Sequence, residues 1–279
     1  MLKKIIKISI ALAILIFVVN LVYFSFNEPN VALIELKGII TPSKADNVIK
    51  KIKSVEEESS IKAVLFKIDS PGGEACSSQR IYLALKKLSK SKPTVALIET
   101  VGASGAYFAA CGANKIVAYP TSIVGSIGVI FETLNFAQLS RRLGLSLFVV
   151  KTGKVKDVGN PFREPTEADR KMIKNLIDSI YNQFLEAVSS SRNISLNSVK
   201  RIADGSVFTG VQALKLKLID STGGELSAKR YLKTLAHLKK IKYENLSNDK
   251  SLRQKFMSIF YTAELLDILE HPTAKAIFQ

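Results

Sequence analysis

Two short apolar runs, each breaking into a glycine turn and then into a helix-like stretch, constrain this chain more than any other feature: IKAVLFKIDSPGG at 61–73 and PTVALIETVGASG at 93–105. Apolar runs of this length, rich in β-branched residues, are what strands buried on both faces look like, and helices that follow them at once give β-turn-α units. The same rhythm surrounds them. VALIELKG is a strand and ADNVIKKIKSVEEES an amphipathic helix. KIVAYP and SIVGSIGVIFE read as further strands, and NFAQLSRRLGL followed by SLFVVKTG reads as helix then strand. The class is therefore α/β, with a mostly parallel sheet and helices on its faces.

From residue 166 the pattern turns helical. TEADRKMIKNLIDSIYNQFLEAVSSSR opens on a Thr166/Asp169 capping box and keeps apolar residues at helical spacing. SLNSVKRIAD and TGVQALKLKL are shorter helices, and the last forty residues read as helix, short strand, helix. No repeat or low-complexity linker divides the chain.

The front of the chain is greasier. Behind Lys3, Lys4 and Lys7, residues 8–26 are apolar except for Ser9, Asn20 and Ser25. About 20 residues at 1.5 Å each span a hydrocarbon core of roughly 30 Å, whereas a cleavable signal has a shorter run ending in small residues. The expectation is an uncleaved anchor over 1–28, with the lysines holding the N-terminus in the cytoplasm. Residues 29–279 then form one extracytoplasmic domain.

The net charge of +16 does not point to nucleic acid, because the lysines are dispersed over amphipathic helices and no nucleic-acid-binding signature accompanies them. The two cysteines, Cys76 and Cys111, are too few and too far apart for a metal set, and each is expected to pack as a small hydrophobe.

A serine among small residues at a strand-to-helix corner suits nucleophilic attack. VGASGAY at 101–107 presents Ser104 on such a corner, where backbone and substrate can approach closely and the next helix points its N-terminal end at the site. DSPGG at 69–73 ends a neighbouring predicted strand, and ligands of parallel sheets gather at the carboxyl ends of strands. Two bases compete. Asp220 and His237 follow Ser104 in the chain order of an α/β-hydrolase, although both histidines, His237 and His271, fall in lysine-rich terminal segments. The other candidate is a lysine in KTGKVKDVGNPFREPT at 151–166, where Lys154 and Lys156 stand two apart. A lysine with a pKa of about 10.4 is neutral in about one molecule per thousand at pH 7.4, so a base here requires a shift of about 3 units through burial or like charge. Asp157 works against that shift if it faces the amine.

Five ordered segments, IDSPGG, GASGAYFAACGANKIVAYP, VGSIGVIFE, KTGKVKDVGNPFREPT and ADGSVFTGVQALKLKLID, resemble the signal peptide peptidase SppA family of membrane-anchored serine proteases, in its short single-repeat form. The resemblance covers about residues 31–235. It implies a ClpP/crotonase-like fold and a Ser/Lys dyad with Ser104 as nucleophile and Lys156 as base. It further implies Gly73 and Gly105 as oxyanion donors, Ser126 as the residue orienting the lysine, and no cofactor or metal. The implied substrates are signal-peptide remnants and other short or unfolded hydrophobic peptides, met at the bacterial cytoplasmic membrane. A ring-shaped homo-oligomer is implied too, with the dyad completed between neighbouring subunits. The match weakens after about residue 236, where the apolar face of FMSIFYTAELLDIL is expected to dock. The polar Cys76-Ser77-Ser78 run also departs from the family pattern. A non-catalytic membrane scaffold and a crotonase-like acyl-CoA enzyme remain the competing readings.

Overall fold

In the computed structural model, which describes residues 28–246, the predicted alternation is realised. Strand β1 (Val31–Lys37) leads to helix α1 (Pro42–Glu57), β2 (Ala63–Ser70) to α2 (Ala75–Leu88), and β3 (Thr94–Ala103) to the short α3 (Gly105–Ala110). Short strands β4 (Lys115–Ala118) and β5 (Ile123–Gly125) precede α4 (Ala137–Arg142) and the long α5 (Glu167–Arg192). The remainder is α6 (Leu196–Lys200), β6 (Val207–Thr209), α7 (Gly210–Lys215), β7 (Ser221–Thr222), α8 (Gly224–Leu235) and β8 (Tyr243–Asn245).

The sheet runs in the order β6-β5-β3-β2-β1-β8, with β4 lying beside the first half of β3 and β7 beside β4. Every pairing is parallel except β5 with β6. Alternation along each strand divides the core. Ile34, Phe66 and Ile98 point to one face, where α1, α2, α3 and α5 cover them, while Val31, Leu65, Leu97 and Val117 point to the other, beneath Ala228 and Leu232 of α8. Both faces of the central strands are buried, which is why they read as unbroken apolar runs. The predicted capping box forms: the Thr166 hydroxyl accepts from the Asp169 amide at 3.2 Å, and the Asp169 carboxylate accepts from the Thr166 amide at 2.9 Å.

Three expectations are corrected. SIVGSIGVIFE is a strand only over Ile123–Gly125. SLFVVKTG forms no strand, and Phe148 is 91% exposed. A β-branched run becomes a strand only when another strand completes its ladder, and among the described residues none lies beside it. Cys76 is exposed rather than packed, because position 76 is on the outer side of the first turn of α2, whereas Cys111 is buried as expected. The predicted anchor, apart from residue 28, and the FMSIFYTAELLDIL segment lie outside the described residues. Among the described residues no helix is long and apolar enough to cross a membrane.

Candidate active site

The carboxyl ends of β2 and β3 bring the two glycine turns together. Ser104 sits between β3 and α3 with φ 52° and ψ −127°, a backbone conformation that L-residues seldom adopt. Its amide donates to the Gly125 carbonyl at 2.8 Å, so the corner is pinned to the end of β5. A Cβ on Gly72 would lie 2.8 Å from the Gly105 nitrogen, and one on Gly105 would lie 2.2 Å from Ser78 Oγ and 3.5 Å from the Gly73 nitrogen. Only glycines permit this approach. Beyond it, Gly73 lies against Ile40: the Ile40 amide donates to the Gly72 carbonyl at 2.8 Å and the Glu74 amide donates to the Ile40 carbonyl at 3.0 Å.

Those bonds leave the Gly73 amide unused, and Gly105 begins α3, where a helix amide has no partner within the helix. Among the described residues neither N–H has an acceptor. Two unspent donors therefore stand side by side next to the Ser104 side chain, at the positive end of a helix.

Over this corner lies a cavity of about 210 Å³, lined by Ser104, Gly105, Gly73, Phe108, Ile180 and Phe184 among others. Its apolar wall is firm: the rings of Phe108 and Phe184 stack at 4.7 Å, and Tyr82 packs on Phe108 at 5.1 Å. Ser78 Oγ donates to the Glu74 carbonyl at 2.9 Å, so its hydroxyl is already engaged. At the rim, the Glu74 carboxylate accepts from the amides of Cys76 and Ser77 at 2.9 and 2.7 Å; bonding from Ser77 holds it below the usual carboxylate range despite partial burial. A second, more open groove is lined by Phe131, Leu134, Ile173 and Ile177, and the two isoleucines share a face of α5 with Ile180 and Phe184 of the cavity.

Ser126 stands next to this centre, because Ala103 pairs with Gly125 and both chains step out of the sheet together. Its φ is 50°, and its amide donates to the Ser206 carbonyl at 2.8 Å. Lys156 is elsewhere. It is exposed on the loop after residue 150, as is Lys154, and neither lines the cavity. The structure thus unites Ser104, Gly73, Gly105 and Ser126 and leaves the lysine apart within one protomer.

The rival triad is not assembled. Asp220 is held by Arg192 Nη1 at 2.8 Å, Lys115 Nζ at 2.9 Å and the Ile116 amide at 2.8 Å. Burial pushes its carboxyl up, yet Arg192, Ile116 and Lys115 together hold it below its ordinary value. His237 is exposed at the end of α8, with φ 52°, and takes no part in the cavity. Asp220 is a structural acid that fastens β7 and the end of α5 to β4. Sequence reasoning missed the ion pairs that surround Asp157, although an arginine six residues further on and the capping-box aspartate were visible signals.

A serine at a strand-to-helix corner, two free amides and an apolar cavity, carried on a ClpP-like parallel sheet, are the equipment of a serine peptidase. Residues 86–239 match the model of peptidase family S49, and residues 28–124 match that of Clp protease. A putative protease of Synechocystis is 39% identical, with 80% of each chain covered, and one of Methanocaldococcus jannaschii is 35% identical over 80% of this chain and 70% of its own. A putative signal peptide peptidase SppA of Enterococcus faecium is 33% identical over 71% of this chain and 59% of its own. The chain belongs to peptidase family S49.

Proposed function

We propose that this peptidase is a membrane-anchored endopeptidase that clears short hydrophobic peptides, signal-peptide remnants among them, through an acyl-enzyme on Ser104. The observation that carries the reading is the pair of unspent amides, Gly73 and Gly105, beside a serine held at φ 52°. In the reaction Ser104 Oγ attacks the scissile carbonyl carbon while a neutral Lys156 takes the hydroxyl proton. The two amides stabilise the developing oxyanion. Lys156 then protonates the departing amine, and a water, deprotonated by the same lysine, hydrolyses the ester.

Because Lys156 does not line the cavity of its own protomer, the lysine is supplied by the loop of a neighbouring copy in a ring. The exposed apolar side chains of Leu145, Leu147, Phe148 and Val150 support an assembled state, since hydrocarbon in water is costly. Ser126, beside the serine, would orient the incoming amine. The apolar cavity and the groove along α5 favour hydrophobic peptide, in keeping with the signal peptide peptidase name of the Enterococcus relative. The apolar run at 8–26 behind three lysines supports the anchor and an extracytoplasmic domain.

The test is hydrolysis of a hydrophobic fluorogenic peptide by the full chain in detergent. Ser104→Ala and Lys156→Ala are expected to be inactive and His237→Ala to match wild type. Mixing the two inactive proteins should restore part of the activity once subunits exchange. Wild-type turnover by Ser104→Ala would overturn the reading.

A further inference from the structure

The loop that carries Lys156 also carries an acid at the next position, and an unpaired carboxylate there would hold a lysine charged. The structure shows where that acid goes. Arg163 Nε reaches Asp157 Oδ2 at 2.8 Å and Arg163 Nη2 reaches Oδ1 at 2.9 Å, a two-pronged grip on both oxygens. Nη2 also donates to the Asp157 carbonyl at 3.2 Å. Lys151 Nζ binds Oδ1 from the other side and donates to the Lys154 carbonyl at 3.1 Å. The Asp157 side chain is only 14% exposed, whereas Lys156 is exposed, so adjacent residues face different surroundings.

The grip is anchored. Arg163 Nη1 binds Asp169 Oδ2, and Asp169 is the buried capping-box partner of Thr166 in the first turn of α5, the helix whose Ile180 and Phe184 line the cavity. Glu164, next along the chain, pairs with Arg141 of α4 at 3.6 Å and not with Lys156. Among the described residues Asp157 meets Lys151 and Arg163, and Arg163 meets Asp157 and Asp169.

We propose that Arg163, seconded by Lys151, is a positioning residue for the base: it occupies both oxygens of Asp157, so this acid does not pair with Lys156, and it ties the loop to α5. The inference rests on Lys156 being the base. Losing the grip frees Asp157 to turn to the neighbouring ammonium, and the lysine then surrenders its proton only at higher pH. The low carboxyl pKa of Asp157, set first by the Arg163 hydrogen bonds and then by Lys151, agrees with a fully committed anion.

The experiment is the pH profile of kcat/KM for the full chain, with circular dichroism as the check on folding. Arg163→Met is expected to move the rising limb to higher pH, with about tenfold lower activity below the limb for each unit of movement. Arg163→Met/Asp157→Asn should return the limb to its wild-type position or lower, even where stability stays reduced. Lys151→Met, less exposed to misfolding, should move the limb the same way by a smaller amount and decides the matter if Arg163→Met does not fold. A limb that stays put in Arg163→Met, or in Lys151→Met if that must stand in, overturns the proposal. So does a shift that Asp157→Asn fails to reverse. Failure of the base assignment looks different: Lys156→Ala would then keep activity and the wild-type profile.

Discussion

The Ser104 amide donates to the Gly125 carbonyl at 2.8 Å, binding the corner residue of β3 to the last residue of β5. That bond and the neighbouring glycines hold a left-handed serine in place, and a backbone of this kind costs about 1–3 kcal/mol elsewhere in the fold.

Relieving it should stabilise the protein while ending turnover. Ser104→Gly is expected to raise stability by about 1 kcal/mol after the entropic cost of glycine, or about 3 °C in Tm for a domain of this size. Ser104→Ala keeps the strained backbone and should melt close to wild type. Scanning calorimetry of both, alongside peptide hydrolysis, separates strain from chemistry; a lower Tm for Ser104→Gly would count against strain at the corner.

Gly72 meets only backbone and a Cβ: a methyl there would stand 2.8 Å from the Gly105 nitrogen and 2.9 Å from both the Ala103 oxygen and Ser104 Cβ, at φ 103°. None of these atoms can swing away. Gly72→Ala is expected to destabilise by about 2 kcal/mol. By displacing the amide pair it should also lower kcat by roughly a hundredfold. Urea unfolding and steady-state kinetics read the two effects separately, and wild-type kcat would show that the contact between the turns is dispensable.

Asp220 and His237 should part company. Arg192 is only 7% exposed at its side chain, so Asp220→Ala leaves a buried guanidinium short of a partner, a loss of about 3 kcal/mol. At temperatures where the variant is folded its kcat should be unchanged. His237→Ala should alter stability by less than about 0.5 kcal/mol and leave turnover alone. Loss of activity in folded His237→Ala would revive the hydrolase triad.

Acid should loosen the Lys156 loop. Asp157 and Asp169 both lie below the ordinary carboxylate range, first through hydrogen bonds from Arg163, so the folded state binds fewer protons than the unfolded chain. Their contribution is complete above the unfolded value of about 3.9 and is lost as pH falls below it. Tm should thus be level in this respect between pH 7 and 5 and decline below about pH 4. Arg163→Met, already without the bonds that depress both acids, should show a shallower decline.

The sheet and the corner were legible because their causes are local. Continuous apolar runs in VLFKI and VALI, glycines at 72, 73, 102 and 105, and the Thr166/Asp169 box each dictate backbone within a few residues. What sequence reading misplaced depends on partners. SLFVV has the composition of a strand but, among the described residues, no neighbour to complete its ladder, and Asp157 was legible as a threat to the lysine but not as the ligand of Arg163, because a carboxylate's direction is fixed by tertiary contacts. The separation of Lys156 from Ser104 is of the same kind: the resemblance implies the pair, and motifs along a chain do not say whether one protomer brings their side chains together.

The parallel layout has a consequence for reach. Val31 begins β1 level with the starts of β2 and β3, whereas Ser104 lies past their far ends. Some seven or eight residues of extended chain separate the two levels, roughly 25 Å. The place where the described chain enters the sheet and the corner that carries Ser104 therefore lie at opposite ends of the strands. A segment that enters the fold at Val31 is thus held a strand's length away from the peptide bond that Ser104 would attack.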